Sequence, residues 1–246
     1  MSEGWLFCSM RDNLPAMATR VNKYLADHGY CSRREADALI IAGSVFINGK
    51  RANLGDKAED TDRVRIVGQA KRVAPKKIYL MLNKPIGTKV TTDWRLKEKS
   101  VMELVPKKDR LFPVGRLDVN TAGLLLFTND GDLALKLTHP RYANDHEYEV
   151  VLDKSISDPH LVRLAEGVDV NGEKTPPAII RRQSQRGFTL IQNEGDNKRI
   201  RRMCDAFGYT VQKLTRVRVG TVRLGLLQLG KTRELTDDEV KELKRD

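Results

Sequence analysis

Cysteine is scarce in this 246-residue chain: Cys8, Cys31 and Cys204 are odd in number and far apart. There is no C-x-x-C pair and no histidine-rich spacing around them, which excludes a disulfide framework and a zinc cage and suits a reducing cytoplasm. Long apolar runs are also missing. No uninterrupted span approaches the roughly 18 residues of a transmembrane helix, and no clear secretory signal is present, so a membrane partner is not expected. What is abundant is positive charge. Lys and Arg number 44 against 33 Asp and Glu, for a net charge of +11 and a pI near 9.6. Such a surface favours a polyanion, because each phosphate it neutralises releases condensed counterions. Nucleic acid is the leading partner. The hydrophobic share of 40% is enough for a packed core, and the length suits one large domain or a small one plus a medium one.

The first eighteen residues carry no periodic pattern and are expected to be a disordered tail, with Met17 as the physiological start. From Arg20 the chain reads as helix, turn, helix, hairpin. Val21, Tyr24 and Leu25 share one helical face, Gly29 sits where a helix stops, and Ser32-Arg33-Arg34-Glu35 has capping-box spacing. Ala36, Leu39 and Ile40 repeat at helical spacing up to Gly43. Val45 and Ile47 then lead to Asn48-Gly49, a pair that suits a tight hairpin. Arg33 and Arg34 oppose the dipole of the helix they open, by ~0.3–1 kcal/mol each unless an anion is close. With Lys23, Lys50 and Arg51 they form the expected nucleic-acid surface of a module spanning residues 19–67. Residues 68–77, rich in Lys, Gly and Pro, read as a linker.

The remaining residues, 78–246, read as a second domain. Strands are expected at 78–82, 111–114, 123–128, 147–152, 178–182 and 188–192, with helices after Asp130-Gly131, over 199–206 and after Thr236. Strands outnumber helices and connections are short, so the fold class is α+β on a mostly antiparallel sheet. The chemistry is placed at Gly115-Arg116-Leu117-Asp118, followed by Asn120-Thr121-Ala122-Gly123. This run sets a carboxylate beside an arginine at a glycine-framed turn. A lone loop aspartate is more often a turn or cap residue.

Asn83-Lys84-Pro85, Gly115-Arg116-Leu117-Asp118, Tyr148 and Asn197 to Met203 together resemble the motifs of pseudouridine synthases. With the front segment, which resembles the αL RNA-binding module of a ribosomal small-subunit protein, the chain is similar to the RsuA/RluB/RluE/RluF family, and within it to the RluB and RluF type. Arg199 departs from the family's usual glutamine. The resemblance implies isomerisation of a uridine in ribosomal RNA, with large-subunit 23S RNA and, in one branch, transfer RNA as targets, by a monomer without a cofactor. It implies Asp118 as the carboxylate that forms a covalent adduct, Arg201 as the cation that keeps it ionised and aimed, and Tyr148 as the aromatic that stacks on the base. Arg116 would fill the space of the flipped base or hold a phosphate beside it. Lys84 and Pro85 would support the site from beneath, and Lys198, Arg199 and Arg202 would add RNA contacts. A noncatalytic RNA-binding or ribosome-assembly factor on the same scaffold is the alternative, and it has no need of Asp118, Tyr148 and Arg201. A glycoside hydrolase would need a second paired carboxylate, and none is evident.

Overall fold

The computed structural model describes residues 18–69, 75–93, 99–106, 110–193 and 197–245. Nearly all of the expected tail, and the middle of the expected linker, lie outside these. The chain divides into two compact units, Met1–Lys76 and Lys77–Asp246.

In the first unit, β1 (Thr19–Arg20) leads into α1 (Val21–Asp27) and α2 (Arg33–Ile41), followed by β2 (Val45–Ile47), β3 (Lys50–Arg51), β4 (Lys57–Ala58) and β5 (Val64–Ile66). Ser32 caps α2 by accepting from the Glu35 amide, while the Glu35 carboxylate accepts from the Ser32 amide, so both orphan donors are met. Asn48 and Gly49 take φ of 49° and 84°, the left-handed pair that a two-residue hairpin between β2 and β3 requires. Val21, Leu25, Ala36, Ile40, Val45 and Ile66 close a small core.

The second unit is built on a nine-stranded sheet. Its strands are β6 (Tyr79–Lys84), β7 (Phe112–Val114), β8 (Ala122–Thr128), β9 (His146–Leu152), β12 (Ile179–Arg182), β13 (Gly187–Gln192), β14 (Val211–Val219), β15 (Val222–Arg223) and β16 (Thr232–Glu234). β10 (Asp169–Val170) and β11 (Glu173–Lys174) form a separate small hairpin. The main order is β12-β13-β9-β14-β8-β6-β16, with β15 on β14 and β7 on β8. All pairings are antiparallel except that of β14 with β8.

Helices cover both faces: α3 (Gly131–Thr138) and α6 (Asp237–Lys244) on one, α4 (Asp158–Glu166) and α5 (Asn197–Asp205) on the other. β8 is therefore buried on both sides along its whole length, which is why it reads as the unbroken run Leu124-Leu125-Leu126-Phe127. Leu125, Phe127, Tyr148, Leu190 and Leu214 pack with Ile200, Met203 and Cys204 of α5. Leu124, Leu126 and Val219 pack with Leu133, Leu137 and Leu243 on the opposite face. Each such side chain adds about 1.5–3 kcal/mol when fully withdrawn from water. Among the described residues no helix is long and apolar enough to cross a membrane.

Candidate active site

The turn between β7 and β8 carries Asp118. Gly115 takes φ +71°, a conformation that favours glycine, and Leu117, 3% exposed, anchors the turn in the core. The Thr121 amide donates to the Asp118 carbonyl at 3.1 Å, closing the turn before β8 starts. Donors from elsewhere in the fold then hold its backbone. Lys84 Nζ, at the end of β6, donates to the carbonyls of Asp118 at 3.0 Å, Thr121 at 2.9 Å and Pro85 at 3.0 Å. The Gly87 amide donates to Val119 O at 2.9 Å, and Arg201 Nη2 donates to Asn120 O at 2.8 Å. Each carbonyl from Asp118 to Thr121 is thus held by a donor outside the turn, which leaves the Asp118 carboxylate as the group the turn presents.

Lys84 is 0% exposed. Burial pulls its pKa down to about 8, while the charge of Asp118 works the other way. It is still an ammonium at neutral pH, with its three hydrogens matched to three carbonyls. A hydrogen bond from a charged donor contributes about 1.5–3 kcal/mol, so this lysine stiffens the turn more than an exposed one could.

Among the described residues the cation paired with the carboxylate is Lys198, whose Nζ lies 3.9 Å from Asp118 Oδ1. Both ends of that pair meet solvent, with side-chain exposures of 61% and 29%, so the attraction is modest and screened. The expectation that Arg201 pairs with the carboxylate is not what its contacts show. Arg201 is half-buried on α5, and its guanidinium donates to Val211 O at 2.8 Å as well as to Asn120 O. Arg201 therefore ties the turn to the start of β14 through backbone carbonyls, and Lys198, one helical turn earlier, faces Asp118.

The sheet sets the floor. Register places Lys84 opposite Gly123, Gly123 opposite Arg216, Arg216 opposite Tyr148 and Tyr148 opposite Leu190. Directly paired residues point to one face, so these positions form a single row across β6, β8, β14, β9 and β13. Gly123 has φ +105°, and a Cβ there would lie 2.2 Å from the Arg216 carbonyl oxygen. Only glycine lets β8 and β14 approach at this point. Tyr148 is 0% exposed, because alternation along β9 turns it to the covered face with Val150 and Leu152. The open stacking face anticipated from sequence is therefore closed in this structure.

Arg116 is exposed two residues before Asp118, and Arg202 is exposed on α5, where Arg199 is partly buried. On the first unit Arg33 and Arg34 are exposed in the first turn of α2, and Lys50 and Arg51 are exposed on β3. Lys23 is partly buried and pairs with Asp27 at 3.5 Å. Cys204 is buried, which pushes its thiol up to about 12, so it is no rival nucleophile.

Two buried polar residues in this region have no counterpart in the sequence reading. Arg216 is 2% exposed, and its Nε donates to Leu124 O at 2.9 Å. His146, 8% exposed, has its pKa pulled down to about 3 by burial and by the charges of Arg216 and Arg218. Nothing in a chain with 44 basic residues marks Arg216 out. The only trace is Gly123, whose need for a bare backbone points to a strand pressed against it.

An acidic turn floored by a sheet and held by Lys84 and Arg201, in one chain with a small basic module, is the arrangement that comparison with known proteins assigns to an RNA-modifying enzyme class. Residues 78–206 match the family described as RNA pseudouridylate synthase, and residues 19–64 match the S4 domain. The chain belongs to the RNA pseudouridylate synthase family and is an isomerase. It is 41% identical to the dual-specificity RNA pseudouridine synthase RluF of Shigella flexneri, over 94% of this chain and 80% of the relative. It is 37% identical to ribosomal large subunit pseudouridine synthase B of Bacillus subtilis, over 92% of this chain and 95% of that one. A crystal structure of a pseudouridylate synthase superposes with a TM-score of 0.68 at 28% identity, covering 92% of this chain and 99% of the other.

Proposed function

We propose that this chain isomerises a uridine of ribosomal RNA, in the large-subunit 23S RNA, with Asp118 as the nucleophile. The observation that carries this reading is the clamping of every carbonyl from Asp118 to Thr121, which leaves one carboxylate aimed out of a rigid turn beside the cations of α5. A carboxylate is a competent nucleophile and a good leaving group, so one hard substitution becomes two easier ones through a temporary adduct with the sugar carbon or the ring. Lys198 lies beside the carboxylate, Arg201 fixes its turn, and Tyr148 forms the aromatic wall behind the base. Arg116 takes the space left in the RNA by the extruded uridine or holds the adjoining phosphate, offsetting part of the few kcal/mol that extrusion costs.

Lys23, Arg33, Arg34, Lys50 and Arg51 of the first unit, with Lys198, Arg199 and Arg202 of the second, supply phosphate contacts. The enzyme works as a monomer in the cytoplasm, with Lys84 and Pro85 beneath the site. Transfer RNA is the second substrate to assay, since RluF is named for dual specificity. Pseudouridine mapping in RNA from cells lacking the gene identifies the target. On that RNA, Asp118→Asn abolishes conversion with affinity kept within a few fold, and a fully active variant would overturn the mechanism.

A further inference from the structure

Arg216 carries a permanent charge at 2% exposure, and withdrawing such an ion from water costs several kcal/mol unless it is paired. A guanidinium offers five N–H donors. The hydrogen bond made by this one runs from Nε to Leu124 O, and among the described residues no carboxylate forms an ion pair with it. The acidic residues of the neighbouring strand are engaged elsewhere: Glu147 bonds Arg218 at 2.8 Å, Asp145 lies 3.5 Å from Arg218, and Glu149 is exposed on the opposite face of β9. Arg216 thus stands in the row between Gly123 and Tyr148 with its Nε committed to Leu124 O, its Nη groups absent from the buried atoms that lack a partner, and, among the described residues, no ion pair to a carboxylate. Its strand is one interstrand spacing, about 4.8 Å, from the strand that Asp118 feeds and the same distance from the strand of Tyr148.

We infer that Arg216 is a further substrate-contacting residue, which donates through its Nη groups to a carbonyl oxygen of the extruded pyrimidine and holds the negative charge that gathers on the ring while the base is detached. This deepens the Asp118 reading and rests on it. When the C1′–N1 bond breaks, its electron pair stays with the ring and is shared between O2 and O4. The pair is used again when C5 bonds to C1′ and the Asp118 carboxylate leaves that carbon; a proton is then lost from C5 and one is taken up at N1, so the ring ends neutral. Fixed donors aimed at charge that appears only in mid-reaction lower the barrier without reorganising.

The test uses the full chain and a short RNA bearing the mapped uridine, prepared with uridine, 2-thiouridine or 4-thiouridine at that position, since sulfur accepts hydrogen bonds weakly. Arg216→Lys, which keeps the charge and can still reach Leu124 O, should slow single-turnover conversion of uridine by about 100-fold, the scale of losing an oxyanion donor. RNA affinity should stay within about threefold, because the contact strengthens only as charge develops. The wild type should slow by about tenfold on one of the two thio substrates, and Arg216→Lys by less than about twofold on the same one, a coupling that an arginine serving only as packing cannot produce. Equal slowing of both proteins on both thio substrates overturns the proposal. So does a wild type that converts both as fast as uridine, a result that stands even if the variant fails to fold. Asp118→Asn in the same assay separates the two readings: conversion by that variant removes the nucleophile, whereas absence of coupling with Asp118→Asn inactive removes Arg216 alone.

Discussion

At the scale of single residues, the site depends on a lysine that no substrate need touch. Lys84 spends its hydrogens on the carbonyls of Asp118, Thr121 and Pro85, so its removal frees the turn without touching the carboxylate. Lys84→Met should lower kcat by about 10- to 100-fold with KM little changed, because misplacing a reacting group is felt in the transition state. Steady-state kinetics on the mapped RNA check this. His146 gives a prediction about pH. In the unfolded chain it takes up a proton near its ordinary 6.5, whereas burial and the nearby arginines delay uptake in the folded chain to about 3. Between those values the unfolded state binds more protons, so stability is full above 6.5 and is lost as pH falls toward 3, by up to about 1.4 kcal/mol per pH unit. Urea midpoints at several acid pH values should show this slope in the wild type and its removal in His146→Gln.

Among the elements, α2 and β14 show what a sequence does and does not disclose. Helix α2 was legible because its signals are local: Ser32 and Glu35 three apart, Ala36 and Ile40 on one face, Gly43 at the end. Ser32→Ala should remove about 1 kcal/mol of stability from the first unit, measurable by thermal melting of a fragment ending near Lys76. The expected strands lie within a residue or two of β6, β7, β8, β9, β12 and β13, since apolar alternation and glycine punctuation are local too. β14 was not read from sequence. Its run Gln212-Lys213-Leu214-Thr215-Arg216-Val217-Arg218 is mostly polar, and register shifts between 211 and 213 and between 216 and 218 break the two-residue period. Helix α4 escaped as well, for its apolar positions Leu161 and Leu164 are few and Pro159 near its start reads as loop. The acidic turn could be found from its motif, and Lys84 and Arg201 were named with it, but their mode of action could not be read, because they act on carbonyls, which carry no sequence signal. Gly123→Ala is the element-level probe of that junction. With a Cβ 2.2 Å from the Arg216 carbonyl, it should part β8 from β14 and abolish activity with a loss of several kcal/mol, seen as a lowered melting temperature.

For the whole molecule, the two units suggest a division of labour between electrostatic capture and chemistry. A chain reduced to residues 77–246 should bind RNA more weakly and with a shallower salt slope, each lost phosphate contact removing about one unit from the logarithmic slope. Titration at several salt concentrations measures it, and an unchanged slope would remove Arg33, Arg34, Lys50 and Arg51 from the interface. The central place of β14 has a temporal consequence. It lies between β9 and β8 and comes from residues 211–219, so the sheet cannot close until nearly nine-tenths of the chain has left the ribosome's exit tunnel. Until then the acidic turn lacks its floor, and Arg201 lacks the Val211 carbonyl that seats it. The site of an RNA-modifying enzyme is thereby completed by a strand made long after the acidic turn itself.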